Sequence, residues 1–172
     1  MTQLLYVLMA VGVGVGSAVQ VGLVGQMGRL RGPEEATWIS VLGTVTGMAL
    51  LFTAQSLRQD PPHLPSPFDN LAPFAAIAVL AAAALAIGIR GLDPYLGIAG
   101  IFGLLYLFGA SFLAPRVGIA LFVGGVTAGT LIASVGLDHF GAFGGVVQRI
   151  TPVRVLGLAA LIAGVLLIRS GR

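Results

Sequence analysis

The sequence predicts an all-α protein, a polytopic transmembrane helical bundle with six, or alternatively five, membrane-spanning helices. Hydrophobic residues make up 57% of the 172 positions, charged residues only 9%, and the mean hydropathy is +1.02. A water-soluble domain carries about 25% charged residues, so this chain could not keep its surface hydrated. Apolar runs long enough to cross a bilayer recur along the whole chain.

Six apolar runs have the length of a membrane span. They occupy residues 4–24, 37–54, 73–89, 95–113, 119–137 and 153–168. Six spans of about 20 residues use about 120 positions, which leaves no room for a separate water-soluble domain. We therefore interpret residues 1–172 as a single transmembrane domain. The run over 73–89 is short and rich in alanine, so it either spans the membrane or is re-entrant or interfacial.

Proline, glycine and charged residues mark the connections between these runs. A polar turn is predicted over residues 26–36, where Pro33 is placed to open the second helix. A second turn is predicted at 115–118, and a polar connection over 138–152. The long connection over 56–72 contains four prolines, too many for a helix: Pro61, Pro62, Pro65 and Pro67.

The basic residues divide almost equally between the two sides of the membrane. Six spans place Arg29, Arg31, Arg90, Arg149 and Arg154 on one side, and Arg58, Arg116, Arg169 and Arg172 on the other. Five spans also give a four-to-five division. Basic residues normally accumulate on the cytoplasmic side. Either a weak bias is sufficient here, or the protein has dual topology and forms an antiparallel dimer.

The composition argues against cofactors, nucleic acid and catalysis. The chain has no cysteine, so disulfides, thiolate metal sites and a cysteine nucleophile are excluded. His63 and His139 lack the spacing of metal ligands. The residue after Ser111 is Phe112, where an intramembrane serine protease places a glycine. The scattered arginines form no basic cluster that would bind nucleic acid. We expect no cofactor, no metal and no enzymatic activity.

Polar side chains inside membrane spans either bridge helices or line a cavity. Gln20 and its neighbour Ser17 lie on or beside a glycine-lined face of the first span, and the fifth span carries a polar stripe. The substrate-path candidates are Gln20, Ser17, Thr127, Thr130 and Ser134. We expect the polar faces of the two spans to share one water-accessible cavity; the alternative is simple helix packing. A third polar face, in the second span, is interpreted as packed: Ser40, Gly43, Thr44 and Gly47.

Asp138 and His139 end the fifth span. An acidic residue at a membrane boundary is usually solvated or fixes a loop by hydrogen bonding. A role in proton coupling is the alternative. We expect these two residues to stabilise the turn.

Several motifs resemble one family of small bacterial inner-membrane proteins. The first is Gly16-Ser17-Ala18-Val19-Gln20, followed by Gln26 and Arg29-Leu30-Arg31; the others are Leu113-Ala114-Pro115-Arg116-Val117-Gly118, Ala128–Ser134, Asp138-His139-Phe140-Gly141 and Ile150–Gly157. These resemble the YdcZ-like family, the single-repeat branch of the drug/metabolite transporter superfamily. The resemblance implies a transporter-like bundle in the bacterial inner membrane that works in antiparallel pairs. Gln26 and Thr130 depart from residues common in the family, and the run over 73–89 is an addition to its usual five helices.

Together these observations predict a transporter-like integral membrane protein that moves a small organic solute by alternating access. It would act as an antiparallel homodimer or with a related partner in the lipid bilayer. The alternative function is that of a non-transporting assembly or accessory protein. The sequence specifies neither the substrate nor the coupling ion.

Overall fold

The computed structural model describes residues 2–58 and 62–170, which form six α-helices, two short 3₁₀ helices and no β-strand. The α-helices are α1 (Thr2–Arg31), α2 (Pro33–Leu57), α3 (Leu71–Gly88), α4 (Ala99–Val117), α5 (Ile119–His139) and α6 (Pro152–Ser170). The 3₁₀ helices are Pro94–Ile98 and Ala142–Gly144. The predicted all-α fold is confirmed. Pro61 and Arg172, which entered the sequence interpretation, lie outside the described residues, as does the side chain of Arg169.

Five of the described helices are long and apolar enough to cross a membrane. The alanine-rich third run is one of them: α3 has 18 residues and is therefore about 27 Å long, close to the thickness of a bilayer's hydrocarbon core. The helix that the sequence interpretation left in doubt is thus long enough to span.

The turn predicted over residues 26–36 is wrong. Helix α1 continues to Arg31, and a single residue, Gly32, separates it from α2. Gly32 has φ 101°, a conformation that costs glycine little because it has no Cβ. The charged residues on both sides remain helical, since arginine and glutamate are good helix formers. The joint is thus much shorter than the polar segment that surrounds it.

The turn predicted at 115–118 is also shorter in the structure. Helix α4 includes Pro115 and continues to Val117, and Gly118 alone separates it from α5. Gly118 has φ 83°. A proline removes one backbone hydrogen bond, and here that loss does not end the helix before Val117.

The chain divides into two compact units. Unit 1 comprises Met1–Gln26 and Leu105–Arg172, and unit 2 comprises Met27–Leu104. In unit 1, a buried apolar cluster joins α1, α4 and α5: Ala10, Val13, Leu113, Val117, Leu121, Phe122 and Val126. In unit 2, α2 packs against α3 through buried Ile39, Phe74 and Ala78, among others. The single transmembrane domain over residues 1–172 stays a prediction.

Candidate functional site

Thr130 links α5 to α1 within unit 1. Its hydroxyl donates to the Gly14 carbonyl oxygen at 3.0 Å and lies 2.9 Å from the Val126 carbonyl oxygen of its own helix. A Cβ built on the neighbouring Gly129 would fall well inside contact distance of the Val11 backbone. The two helix backbones therefore touch at this level. In this conformation Thr130 bridges two helices, and the contact leaves no cavity between them at that point.

The other four path candidates occupy different environments. Ser17 donates to the Val13 carbonyl oxygen at 3.0 Å, one turn earlier in its own helix. Gln20 is half-buried and engages a partner within the protein. Thr127 is exposed on α5, and Ser134 is half-buried. The role of the five side chains in a substrate path stays a prediction.

Two cavities of unit 1 are lined entirely by apolar residues. The larger, about 410 Å³, lies between α1 and α4 and is lined by Met9, Gly12, Val13, Leu105, Phe108, Gly109, Phe112 and Leu113. The smaller, about 220 Å³, lies among α1, α5 and α6, beside Val11, Gly125 and Val165. None of the five path candidates lines either cavity. Sequence reasoning missed both, because an apolar cavity wall inside a membrane span has the same composition as a lipid-facing surface.

Asp138 and His139 organise the connection between α5 and α6. The Asp138 carbonyl oxygen accepts hydrogen bonds from the backbone N–H groups of Gly141, at 3.2 Å, and Gln148, at 2.9 Å. The His139 imidazole Nδ1 accepts from the Ile150 N–H at 3.3 Å. The Asp138 carboxylate lies 3.7 Å from the Arg154 guanidinium. These contacts hold the segment folded back on the end of α5, which is the geometry of a structural turn.

The polar face of α2 is packed in unit 2, as the sequence predicts. Thr44 donates to the Gly100 carbonyl oxygen at 2.9 Å, and a Cβ on Gly43 would lie 3.0 Å from the Gly100 Cα. At the far end of unit 2, the Arg31 guanidinium donates to the carbonyl oxygens of Gly88, at 2.8 Å, and Arg90, near the C-terminus of α3. Among the described residues, no group of acidic or histidine side chains is arranged to hold a metal ion.

The fold and its contacts define a multi-pass α-helical membrane protein whose helices meet through glycine and hydroxyl side chains. The chain belongs to the DMT_YdcZ family, described as "Putative inner membrane exporter, YdcZ", whose model matches residues 5–167. The resemblance inferred from the motifs is therefore confirmed, and so is a multi-pass location in the inner membrane. A search of curated proteins and a search of solved structures returned no match.

Proposed function

We propose that this protein exports a small organic solute across the inner membrane by alternating access. The observation that carries the proposal is the family match, because a model described as an inner membrane exporter covers residues 5–167. The larger apolar space of unit 1, about 410 Å³, is compatible in volume with a small molecule and is a groove open to the surface, where Phe108 is exposed. Its walls include the rings of Phe108 and Phe112, so it favours a solute with an apolar or aromatic portion.

Alternating access requires two opposed halves around a common path. The near-equal division of arginines supports one source of these halves, a dimer of oppositely inserted chains or a pair with a related protein. In that arrangement Gln20, Ser17, Thr127 and Ser134 would line the path. Thr130 would exchange its bond to Gly14 for contact with water or solute as the path opens. Asp138 and His139 stabilise the turn in both states.

Purified protein in liposomes tests the proposal. We expect counterflow of a subset of small aromatic or amphipathic solutes, and the matching solutes should raise the melting temperature in a thermal-shift screen. Phe108→Ala should weaken this stabilisation, whereas Val79→Ala, at an exposed position of α3, should leave it unchanged. A protein that moves and binds none of the solutes in either assay would favour the assembly or accessory function.

Cysteine scanning tests the path, because the natural chain contains no cysteine. Thr127→Cys and Ser134→Cys should react with a small water-soluble thiol reagent. Val79→Cys is the matched control, since Val79 is also exposed in the protein but would face lipid. Leu121→Cys is the buried control. If the two path positions are as unreactive as Val79→Cys, the stripe on α5 faces lipid or dry protein and the path lies elsewhere.

A further inference from the structure

The bridging threonines of the two units make the same pair of hydrogen bonds. The Thr44 hydroxyl lies 2.9 Å from the Gly100 carbonyl oxygen and 3.1 Å from the Ser40 carbonyl oxygen, and its single proton serves both. Thr130 makes equivalent bonds to Gly14, at 3.0 Å, and Val126, at 2.9 Å. The two threonines are 86 positions apart in the sequence. Gly14 and Gly100 are also 86 positions apart, and so are Ser40 and Val126.

The glycines of these contacts obey the same offset. A Cβ on Gly43 would lie 3.2 Å from the Gly97 carbonyl oxygen, and a Cβ on Gly129 would collide with the Val11 carbonyl oxygen. Gly43 and Gly129 are 86 positions apart, as are Val11 and Gly97. The glycines on the other helix of each pair are equally close. A Cβ on Gly14 would clash with the Thr130 backbone nitrogen, and a Cβ on Gly100 would clash with the Thr44 backbone nitrogen. The helix pairs α5–α1 and α2–α4 thus meet through equivalent atoms.

The two single-residue joints are equivalent as well. Gly32 and Gly118, again 86 positions apart, have φ/ψ of 101°/158° and 83°/151°. Each glycine N–H donates the last hydrogen bond of the preceding helix. The Gly32 N–H donates to the Gly28 carbonyl oxygen at 2.9 Å, and the Gly118 N–H donates to the Ala114 carbonyl oxygen at 2.8 Å. Each glycine carbonyl oxygen then accepts the first bond of the following helix, at 3.2 Å and 3.0 Å.

Burial follows the same correspondence in part, although the side chains differ. Five pairs of positions 86 apart are buried together, whereas others, such as Glu35 with Leu121 and Thr46 with Ile132, are not. The five are Ala10 with Leu96, Val13 with Ala99, Met27 with Leu113, Ala36 with Phe122, and Leu42 with Ala128. In four of the five pairs an alanine corresponds to a larger side chain; in the fifth, Met27 corresponds to Leu113. Four pairs of residues at the backbone contacts and at the joints, in contrast, are identical: Gly14 and Gly100, Gly32 and Gly118, Gly43 and Gly129, and Thr44 and Thr130.

We infer that the chain consists of two versions of one three-helix unit, a first half containing α1–α3 and a second half containing α4–α6. Equivalent helices are separated by three spans, an odd number. The chain would therefore enter the membrane from one face at α1 and from the opposite face at α4, as in an inverted repeat. One chain then carries both opposed halves, and each half finds its partner within the same chain. This inference rests on the proposed function only for the transport role of the two halves. The repeat itself is argued from the contacts alone.

Side-specific labelling tests the inverted arrangement. Glu34→Cys and Ala120→Cys are exposed positions 86 apart, each two residues beyond a joint glycine. In intact cells and in inverted vesicles, a membrane-impermeant maleimide should modify each cysteine from one face only, and the two faces should be opposite. Arg116→Cys, exposed at the same joint as Ala120, should be labelled from the same face as Ala120→Cys. Labelling of both joints from one face would overturn the inference. Labelling of each joint from both faces would show oppositely inserted chains; two lysines added after Ser170 then bias the chain to one orientation, and labelling of both joints from one face in that variant would overturn the inference.

Paired substitutions test the equivalence of the contacts. Thr44→Val and Thr130→Val each remove one interhelical hydrogen bond, so we expect both to lower the melting temperature by about 2 °C. Thr46→Val is the matched control, because the Thr46 hydroxyl bonds within its own helix, to Leu42, and its loss should cost less. A large loss at one of the two threonines with none at the other would overturn the repeat. Neither experiment measures transport, so a protein that moves no solute could still pass both.

Discussion

The third helices of the two halves, α3 and α6, differ in burial. Helix α3 buries Phe74, Ala78 and Ala81, whereas no described residue of α6 is buried. The centroid of the Phe74 ring lies 4.8 Å from the centroid of the Phe52 ring and 6.0 Å from that of the Phe68 ring. Helix α6 is held mainly by contacts with α5, such as Val165 beside Gly124.

This difference shows which helices of the unit are restricted by contact with other helices. In lipid, an apolar side chain gains little by leaving the surface, because hydrocarbon surrounds it in either case. Close backbone contact and interhelical hydrogen bonds are therefore the main sources of specificity, and they occur where α1 meets α5 and where α2 meets α4. The third helix can bury a few side chains, as α3 buries Phe74, Ala78 and Ala81, or bury none of those described, as in α6.

The largest loss of stability is expected where the two halves make equivalent backbone contacts. Gly129→Ala places a methyl group against the Val11 backbone, and backbone cannot move aside as a flexible side chain can. We expect a loss of stability of about 3 kcal/mol, the upper end for an overpacked core, or failure to fold. Gly136→Ala, on the same helix with open space around its Cβ, is the control and should be near neutral. Thermal unfolding in detergent measures both; equal melting temperatures would contradict the close contact.

The second prediction separates α3 from α6. Phe74→Ala removes a buried ring and leaves a cavity, so we expect a loss of about 1–2 kcal/mol, less than the roughly 3–5 kcal/mol typical of a water-soluble core. Leu156→Ala, at an exposed position of α6, should change stability little. The measurement is thermal unfolding of both variants in the same detergent. A larger loss for Leu156→Ala would mean that a partner covers α6 in the assembled protein.

Hydropathy was sufficient to predict the apolar helices, because a run of apolar residues is a property of composition. The joints were harder to predict. Arg29, Arg31, Glu34 and Glu35 indicate a polar turn, yet they favour helix, and the break depends on the positive φ of Gly32 alone. The internal repeat escaped prediction because the equivalent buried pairs, such as Met27 and Leu113, share position rather than identity.

The candidate path was only partly accessible to sequence reasoning. Polarity identifies Ser17 and Thr130, but their hydroxyls bond to backbone carbonyl oxygens, and no periodicity distinguishes that from contact with solute. The apolar cavities could not be predicted for a different reason. Phe108 and Phe112 carry no signal that separates a cavity wall from a lipid-facing surface.

A third prediction concerns how the last turn of α3 is held. Arg31 donates to the carbonyl oxygens of Gly88 and Arg90, which would otherwise lack helical partners. Arg31→Met keeps an aliphatic side chain of similar length but removes the donors, so we expect a loss of about 1 kcal/mol. Arg149→Met, at an exposed position of the connection before α6, is the control. If both variants unfold at the temperature of the natural protein, the contact at α3 contributes nothing measurable.

The smallest loss of stability is expected at the connection between α5 and α6. Asp138 holds the turn chiefly through its backbone carbonyl oxygen, which Asp138→Asn preserves. The substitution removes only the ion pair with Arg154, and both side chains are partly exposed, 48% for Asp138 and 31% for Arg154. Water and salt weaken such a pair, so we expect a loss of about 0.2–1 kcal/mol that shrinks further in 1 M salt. Transport and its pH dependence should remain intact. Melting curves at low and high salt, with flux measured on the same preparation, test both expectations: abolished pH-dependent flux at an unchanged melting temperature would give Asp138 a coupling role in place of a structural one.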